Sequence, residues 1–338
     1  MSNTSKRIIS VILVAALAFA GLSGCNTAED STQPNSGEGS VSTEWKWERN
    51  IEIMTPGSLG GGLDLTLRAF APLLEKELGV SVIIDNRPGA GQVAGWTYAY
   101  TQPRDGYLFE FSTPSFVGSA ASGSFSVPIM DELVSVCGLV QADAIIFANP
   151  DNGKFTDLQS MVDYVQEHPG EVSCAIDTPQ GVAGAALTQF AEGIGGFELN
   201  WVSSGSDDSI TSVLAGDVDT LVANWTDCGA YVESGDLIAI CTLSENQLDV
   251  LPDVPSSASI GAPVSIGFYR GFFAFEGTPQ EAVDAFAAAV YKVATTSPEW
   301  AEYLENNALN NDYLWDGATL DTKVQESYDA FSELMGLS

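Results

Sequence analysis

Basic residues are scarce in this chain: 12 Lys and Arg stand against 45 Asp and Glu, for a formal net charge of -33 over 338 residues. A surface this acidic repels phosphate backbones and anionic headgroups, which excludes nucleic acid and a charged lipid surface as electrostatic partners. Histidine is scarcer still, with His168 the single example. A Ser-His-Asp or Cys-His hydrolase would need that residue as its base. It stands instead beside Pro169 at the end of an expected helix, where a surface cap is the plainer reading. Neither a G-x-S-x-G elbow nor an H-E-x-x-H pair occurs, which removes the usual signs of an α/β-hydrolase or a zinc hydrolase. Acids are plentiful enough for a paired-carboxylate glycosidase, but no spacing favours one. No catalytic residue, metal site or cofactor is expected. Cysteine is sparse too: Cys137, Cys174, Cys228 and Cys241 lie far apart without C-x-x-C spacing, so neither zinc nor redox chemistry is indicated. A structural disulfide among them remains open outside the cell, beside the reading as small buried hydrophobes.

Long apolar runs are absent except at the start. Lys6 and Arg7 precede Ile8 to Leu22, an apolar stretch that suits a secretory signal and is short for a membrane span. The sequence Leu22-Ser23-Gly24-Cys25 resembles a bacterial lipoprotein signal. That resemblance implies cleavage after residue 24 and acylation of Cys25 by palmitate-type chains. Residues 25–46 then form a tether: Asn26 to Glu44 has no aromatic residue and is rich in Ser, Thr, Gly, Glu and Asp. The expected location is extracytoplasmic, lipid-anchored to the bacterial cell membrane. Loss of Lys6 and Arg7 with the signal makes the chain two units more negative.

Roughly 290 residues follow the tether, more than one core usually supports, so two domains are expected. Ile51 to Thr55 reads as a strand, and Leu63 to Leu78 as an amphipathic helix with apolar Leu63, Leu67, Phe70, Leu74 and Leu78. Val80 to Asp85 is the next strand, Gln92 to Thr101 a helix, and Leu108 to Ser112 a third strand. That alternation is the pattern of a doubly wound α/β sheet. The pattern restarts after about Asp131. Strands are expected at Leu133 to Val140, Ala144 to Ala148, Val172 to Ile176, Leu199 to Val202, Thr220 to Ala223, Leu237 to Leu243 and Phe268 to Phe275. A helix at Asp157 to Glu167 has Asp157 or Thr156 as its cap, and helices at Gln280 to Asn306 and Leu320 to Leu334 close the chain. The expected division is residues 47–141 with 256–338 for lobe 1 and 142–255 for lobe 2, with hinges near 140–144 and 254–266.

The glycine-rich stretch Pro56 to Asp64 leaves a strand and opens a helix, where free N–H groups and the helix dipole favour an anion. It lacks the Lys-Ser/Thr of a phosphate-binding loop, and Leu65 stands where G-x-G-x-x-G needs its third glycine, so Asp85 is no ribose-binding acid. A tight turn or a generic oxyanion cradle remains.

With Pro56 to Asp64, the run Asp85-Asn86-Arg87-Pro88-Gly89-Ala90-Gly91, and Pro103-Arg104-Asp105-Gly106-Tyr107, the chain resembles the substrate-binding proteins of tripartite tricarboxylate transporters, the Bug-type receptors. The likeness continues through His168-Pro169-Gly170, Leu214 to Asp219, Leu251 to Pro255 and Gly277-Thr278-Pro279. It implies a two-lobed, periplasmic-binding-protein-like fold of the Venus flytrap kind, without enzymatic activity, and a small solute held in the interlobe cleft. The solute would be a carboxylate, an amino acid or a neutral metabolite, delivered to integral-membrane transporter subunits. A receptor that presents the solute to a membrane signalling protein is the alternative. Carried across, the family's ligand contacts fall on Ser58, Leu59, Gly60 and Asp64, on Thr113 and Ser115 of an expected turn, and on Thr178, Gln180, Gly181, Ser203, Ser204 and Asn224. Gly57 stands where the family often has Phe, and Ser203-Ser204-Gly205 replaces a frequent Tyr-Lys-Gly. Both departures make the pocket less positive, so a monocarboxylate, an amino acid or a neutral solute is expected in preference to citrate.

Overall fold

Two sheets, each flanked by helices, are woven from one chain that passes between them twice. The computed structural model describes residues 45–337 apart from 177, 178, 180, 204, 205, 245, 246, 249 and 265. The signal, the tether and Cys25 therefore lie outside the described residues.

The first sheet begins with β1 (Ile51–Thr55), α1 (Gly62–Leu78), β2 (Val82–Asn86), α2 (Val93–Tyr100) and β3 (Leu108–Ser112). β1 pairs in parallel with both β2 and β3, the expected product of helical crossovers. A short helix α3 (Ser115–Ala121) follows, and then the long strand β4 (Leu133–Ala142). Asp143 alone separates β4 from β5 (Ala144–Ala148), which belongs to the second sheet. That sheet is completed through α4 (Leu158–Glu167), β6 (Ser173–Ile176), α5 (Val182–Gly193), β7 (Asn200–Ser203), α6 (Ser206–Leu214), β8 (Thr220–Ala223), α7 (Trp225–Ser234) and β9 (Ile238–Leu243). The chain returns as β10 (Phe268–Phe275) and ends with α8 (Gln280–Thr296), α9 (Pro298–Asn306), β11 (Leu309–Asn310) and α10 (Gly317–Leu334). Strand order is β11-β4-β10-β3-β1-β2 in the first sheet and β7-β6-β8-β5-β9 in the second. The parallel core of each sheet is thus extended by antiparallel strands, because β4, β5 and β10 carry the passages between sheets. The two passages touch: Phe268 is in register with Ala142, and Gly267 leaves room for the Gln141 side chain.

Aromatic packing holds the first lobe. Phe109 stacks on Phe286 with centroids 3.9 Å apart, and Phe70 meets Trp300 edge-on at 4.8 Å. The second lobe packs mainly aliphatic side chains such as Ile146, Met161 and Val172, with Phe155 and Phe190 among them. Ala262 and Val264 join this second core, so the return passage begins only after them. All four described cysteines are buried free thiols, and no disulfide joins them. Burial pushes the Cys174 and Cys241 thiols up to about 12, at Cys174 against a smaller opposing hydrogen bond with Thr220.

Two local expectations are corrected. Gln280 to Asn306 is two helices: Ser297 accepts from the Trp300 N–H at 3.2 Å as an N-cap, and Pro298 starts a new helix because its ring cannot continue the old one. Thr113 to Ser115 is the entry to α3, whose Phe116 packs on Trp96 at 4.2 Å. Elsewhere the capping chemistry holds. Asp157 and Ser160 cap α4 reciprocally, and Asp316 accepts from the Thr319 N–H at 2.8 Å at the start of α10.

Glu110 in the middle of β3 is 1% exposed, and its Oε2 has no hydrogen-bond partner. Burial holds its carboxyl well above the usual carboxylate range. The folded chain therefore keeps a proton that the unfolded chain releases above its ordinary 4.5, and stability falls as pH rises through that window. Glu110→Gln is expected to raise stability at pH 8 by about 1–3 kcal/mol and to flatten this slope, as measured by urea unfolding across pH.

Candidate functional site

The loop from β1 to α1 is built round one buried carboxylate. Gly60 adopts a left-handed conformation, with φ of 83°, which lets the chain turn back so that its N–H donates to Asp64 Oδ2 at 2.8 Å. Arg68, one helical turn on, donates to the same oxygen at 2.8 Å and reaches Asn86 at 3.2 Å. Asn86 in turn donates to the Gly57 carbonyl at 3.1 Å. Burial alone would raise the Asp64 pKa, but the bonds from Arg68 and Gly60 outweigh it and hold the carboxyl below its ordinary value. The loop's shape is therefore fixed, and Ser58 and the first N–H groups of α1 are left facing the cleft.

A second loop faces it. Gly89, Ala90, Gly91 and Gln92 all have positive φ, an uncommon run for the two that carry a Cβ. Ser119 of α3 donates to the Gly91 carbonyl at 2.7 Å. The Gln92 amide donates to Thr113 at 2.9 Å and accepts from Ser112 at 2.7 Å. The strain is thus held by neighbours on α3 and at the end of β3.

The lobes meet at a polar cluster. Arg270 of β10 is 1% exposed. Its Nη1 donates to Thr66 of α1 and its Nη2 to Asn224 Oδ1 at 3.2 Å, while its Nε has no partner. Asn224 is the N-cap of α7, and its amide donates to Asp227 Oδ2 at 2.6 Å. Asp227 Oδ1 accepts from the Gly62 N–H at the start of α1. Thr66, Gly62 and Arg270 belong to the first lobe, and Asn224 and Asp227 to the second, so this chain of bonds crosses the cleft. Burial raises the Asp227 pKa against the opposing pull of Arg270 and lowers that of Arg270 itself. Apolar contact crosses beside it: Val182 and Ala185 of α5 pack into the cluster that holds Phe116, Tyr269 and Phe273.

Between these walls lies a cavity of about 540 Å³, lined by both loops, the start of α5, the end of β8 and Arg270. That size suits a small metabolite. Of the residues singled out from the sequence, Ser58, Thr113, Ser115, Gly181 and Asn224 line it. Leu59 is 70% exposed and is not part of the lining, while Gly60 and Asp64 shape the loop from behind it. Ser203 ends β7, and Thr178, Gln180 and Ser204 lie outside the described residues. Sequence reasoning missed Arg270, Asp227 and Gln92. A lone cation inside the aromatic strand Phe268 to Phe275 was the available signal for Arg270. His168 is not part of the lining; it ends α4 and lies tilted over Tyr164 at 4.5 Å. Among the described residues no cluster of three or more His, Cys, Asp or Glu is placed to hold a metal ion, and no helix is long and apolar enough to cross a membrane.

Two α/β lobes joined by paired crossings, with a cavity between them that carries a few polar groups on an otherwise apolar wall, define a binding protein of the periplasmic type. Residues 66–329 match the family described as the tripartite tricarboxylate transporter family receptor, and the chain belongs to that family. It is accordingly an extracytoplasmic solute-binding protein and not an enzyme. Protein BugT of Bordetella pertussis is 29% identical over 227 residues, covering 66% of this chain and 69% of that one. Among solved structures, the periplasmic binding protein BugD superposes with a TM-score of 0.76 at 21% identity, covering 86% of this chain and 97% of its own. MatC from Rhodopseudomonas palustris with bound malate gives 0.76 at 21% identity over 85% and 98% of the two chains. An R. palustris protein with adipate gives 0.77 at 19% identity over 86% and 97%.

Gly62 has no room for a side chain. A Cβ there would lie 2.8 Å from Asp227 Oδ1 and 2.9 Å from Arg270 Nη2. Gly62→Ala is expected to cost about 1–3 kcal/mol in thermal unfolding by forcing the two lobes' polar groups apart. An unchanged melting temperature would contradict this close approach.

Proposed function

We propose that this chain captures a small organic acid or related metabolite in the interlobe cleft and delivers it to the membrane subunits of a tripartite tricarboxylate-type transporter, while a lipid on Cys25 holds it at the membrane. The observation that carries this reading is the cavity between the lobes, with Ser58, Thr113, Ser115 and Asn224 on its wall beside the start of α1. Neutral donors and a helix N-terminus hold a carboxylate without a dedicated lysine. The malate and adipate of the two R. palustris structures are small organic acids of a size that such a cavity admits.

Ser58, Thr113 and Ser115 contact the solute from lobe 1, and Gly181, Asn224, Thr178, Gln180, Ser203 and Ser204 from lobe 2. Gly60 and Asp64 act by keeping the first loop in shape, and Leu59 meets the solute only at the rim of the cleft. The lobes that move divide a little later than the sequence suggests: 47–142 with 267–338 form one and 144–264 the other, because Ala142 packs in the first core and Ala262 and Val264 in the second, with Asp143 and the stretch before Phe268 bending between them. Closure buries the solute and creates a surface that the permease distinguishes from the open form.

A thermal-shift screen of residues 45–338 against carboxylates, amino acids and neutral metabolites tests the reading. A solute at a hundredfold excess over its Kd raises stability by about 2.7 kcal/mol. Ser58→Ala is expected to weaken that solute by about three- to tenfold. No shift across the set would sink the receptor reading. In the full chain, Cys25→Ser is expected to move the protein from the membrane fraction to the soluble one, and retention in the membrane would refute the anchor.

A further inference from the structure

Among the described residues lining the cavity, Arg270 is the one cation and Asp227 the one acid. They stand together. Both reach within 3 Å of the point where a Cβ on Gly62 would lie, Asp227 Oδ1 at 2.8 Å and Arg270 Nη2 at 2.9 Å. Asn224 sits between them, accepting from Arg270 at 3.2 Å and donating to Asp227 at 2.6 Å. The Gly62 N–H belongs to the first turn of α1, where backbone donors have no partner within the helix and the dipole is positive. A free N–H at a helix start, beside a buried guanidinium with an unpartnered Nε, is an anion position. In this chain a carboxylate from the opposite lobe already occupies it.

We infer that Asp227 is the charge-specificity residue of the cleft: it supplies from lobe 2 the carboxylate that fills the anion position of lobe 1, so the cleft favours a monocarboxylate or uncharged solute over a dicarboxylate. This rests on the cleft being the solute site. The second carboxylate of a dianion would have to displace Asp227 or lie beside it, with no further cation among the described residues of the wall. Like charges at that range in a half-buried site disfavour both arrangements. The surrounding protein also raises the Asp227 pKa, as expected where one guanidinium only partly offsets burial.

Removing the side chain tests the position directly. Asp227→Ala leaves the Gly62 N–H and Arg270 without their anion, so sodium acetate is expected to raise its melting temperature. Acetamide, and chloride at equal ionic strength, should do so far less. Acetate should bind this variant at least tenfold more tightly than the native protein. A second arm compares succinate with succinamate, which differ by one charge at nearly constant shape. Asp227→Asn, which keeps a hydrogen-bond acceptor for Gly62 and should fold if the alanine variant does not, is expected to move selectivity at least tenfold toward succinate. Acetate acting equally on native and alanine proteins, or a succinate-to-succinamate ratio unchanged by the asparagine variant, would overturn the inference. Acetate rescue together with an empty solute screen would uphold the anion position and count against the receptor reading alone.

Discussion

The structure turns on a buried guanidinium. Arg270 lies in β10 among Phe268, Tyr269, Phe272 and Phe273, and burying a cation there is costly unless its donors are matched. Its partners come from both sides of the cleft: Thr66 on α1 from one lobe, and Asn224 at the head of α7 from the other, with Asp227 close by. β10 is also the strand by which the chain returns from the second sheet, lying between β3 and β4 in the first. One strand therefore carries a passage between lobes and the charge around which their facing surfaces are organised.

The rest of the site follows from where backbone donors are left free. Asp64, Arg68 and Asn86 hold the first loop from behind, which leaves the start of α1 open toward the cleft. The second loop keeps Ala90 and Gln92 in left-handed conformations because Ser119, Ser112 and Thr113 hold its groups in place. Both loops lie on the same edge of the first sheet, at the carboxyl ends of β1 and β2, the usual position for a ligand site in an open α/β sheet. The contrast with Glu110 is instructive: it is also a buried acid of the first lobe, but it has neither a paired cation nor a place on the cavity wall.

Much of the fold was legible because its elements are short and cleanly punctuated. Ile51–Thr55, Leu108–Ser112, Ala144–Ala148, Thr220–Ala223 and Phe268–Phe275 are strands with the bounds their β-branched and aromatic residues suggest. The break at Pro298 was missed because the apolar period of α8 and α9 continues across it, and α3 because seven residues are too few to show a period. Family motifs pointed to the loops but not to their division of labour. The family likeness makes Asp64 a ligand contact, but a carboxylate four residues before an arginine on a helix is equally suited to hold its own loop. Arg270 and Asp227 are 43 residues apart and meet only through the packing of two lobes, which no local pattern reports.

The most direct test of this account is the distance between lobes measured by pulsed electron paramagnetic resonance. Spin labels would be placed at the exposed positions Ile83 on β2 and Tyr231 on α7, with the buried native thiols left unlabelled. A short-distance population is expected in the native background, and it should shrink when Asp227→Ala removes the carboxylate shared between lobes. Identical distance distributions in the two proteins would contradict it, and would show that Arg270 and its partners do not hold the lobes together.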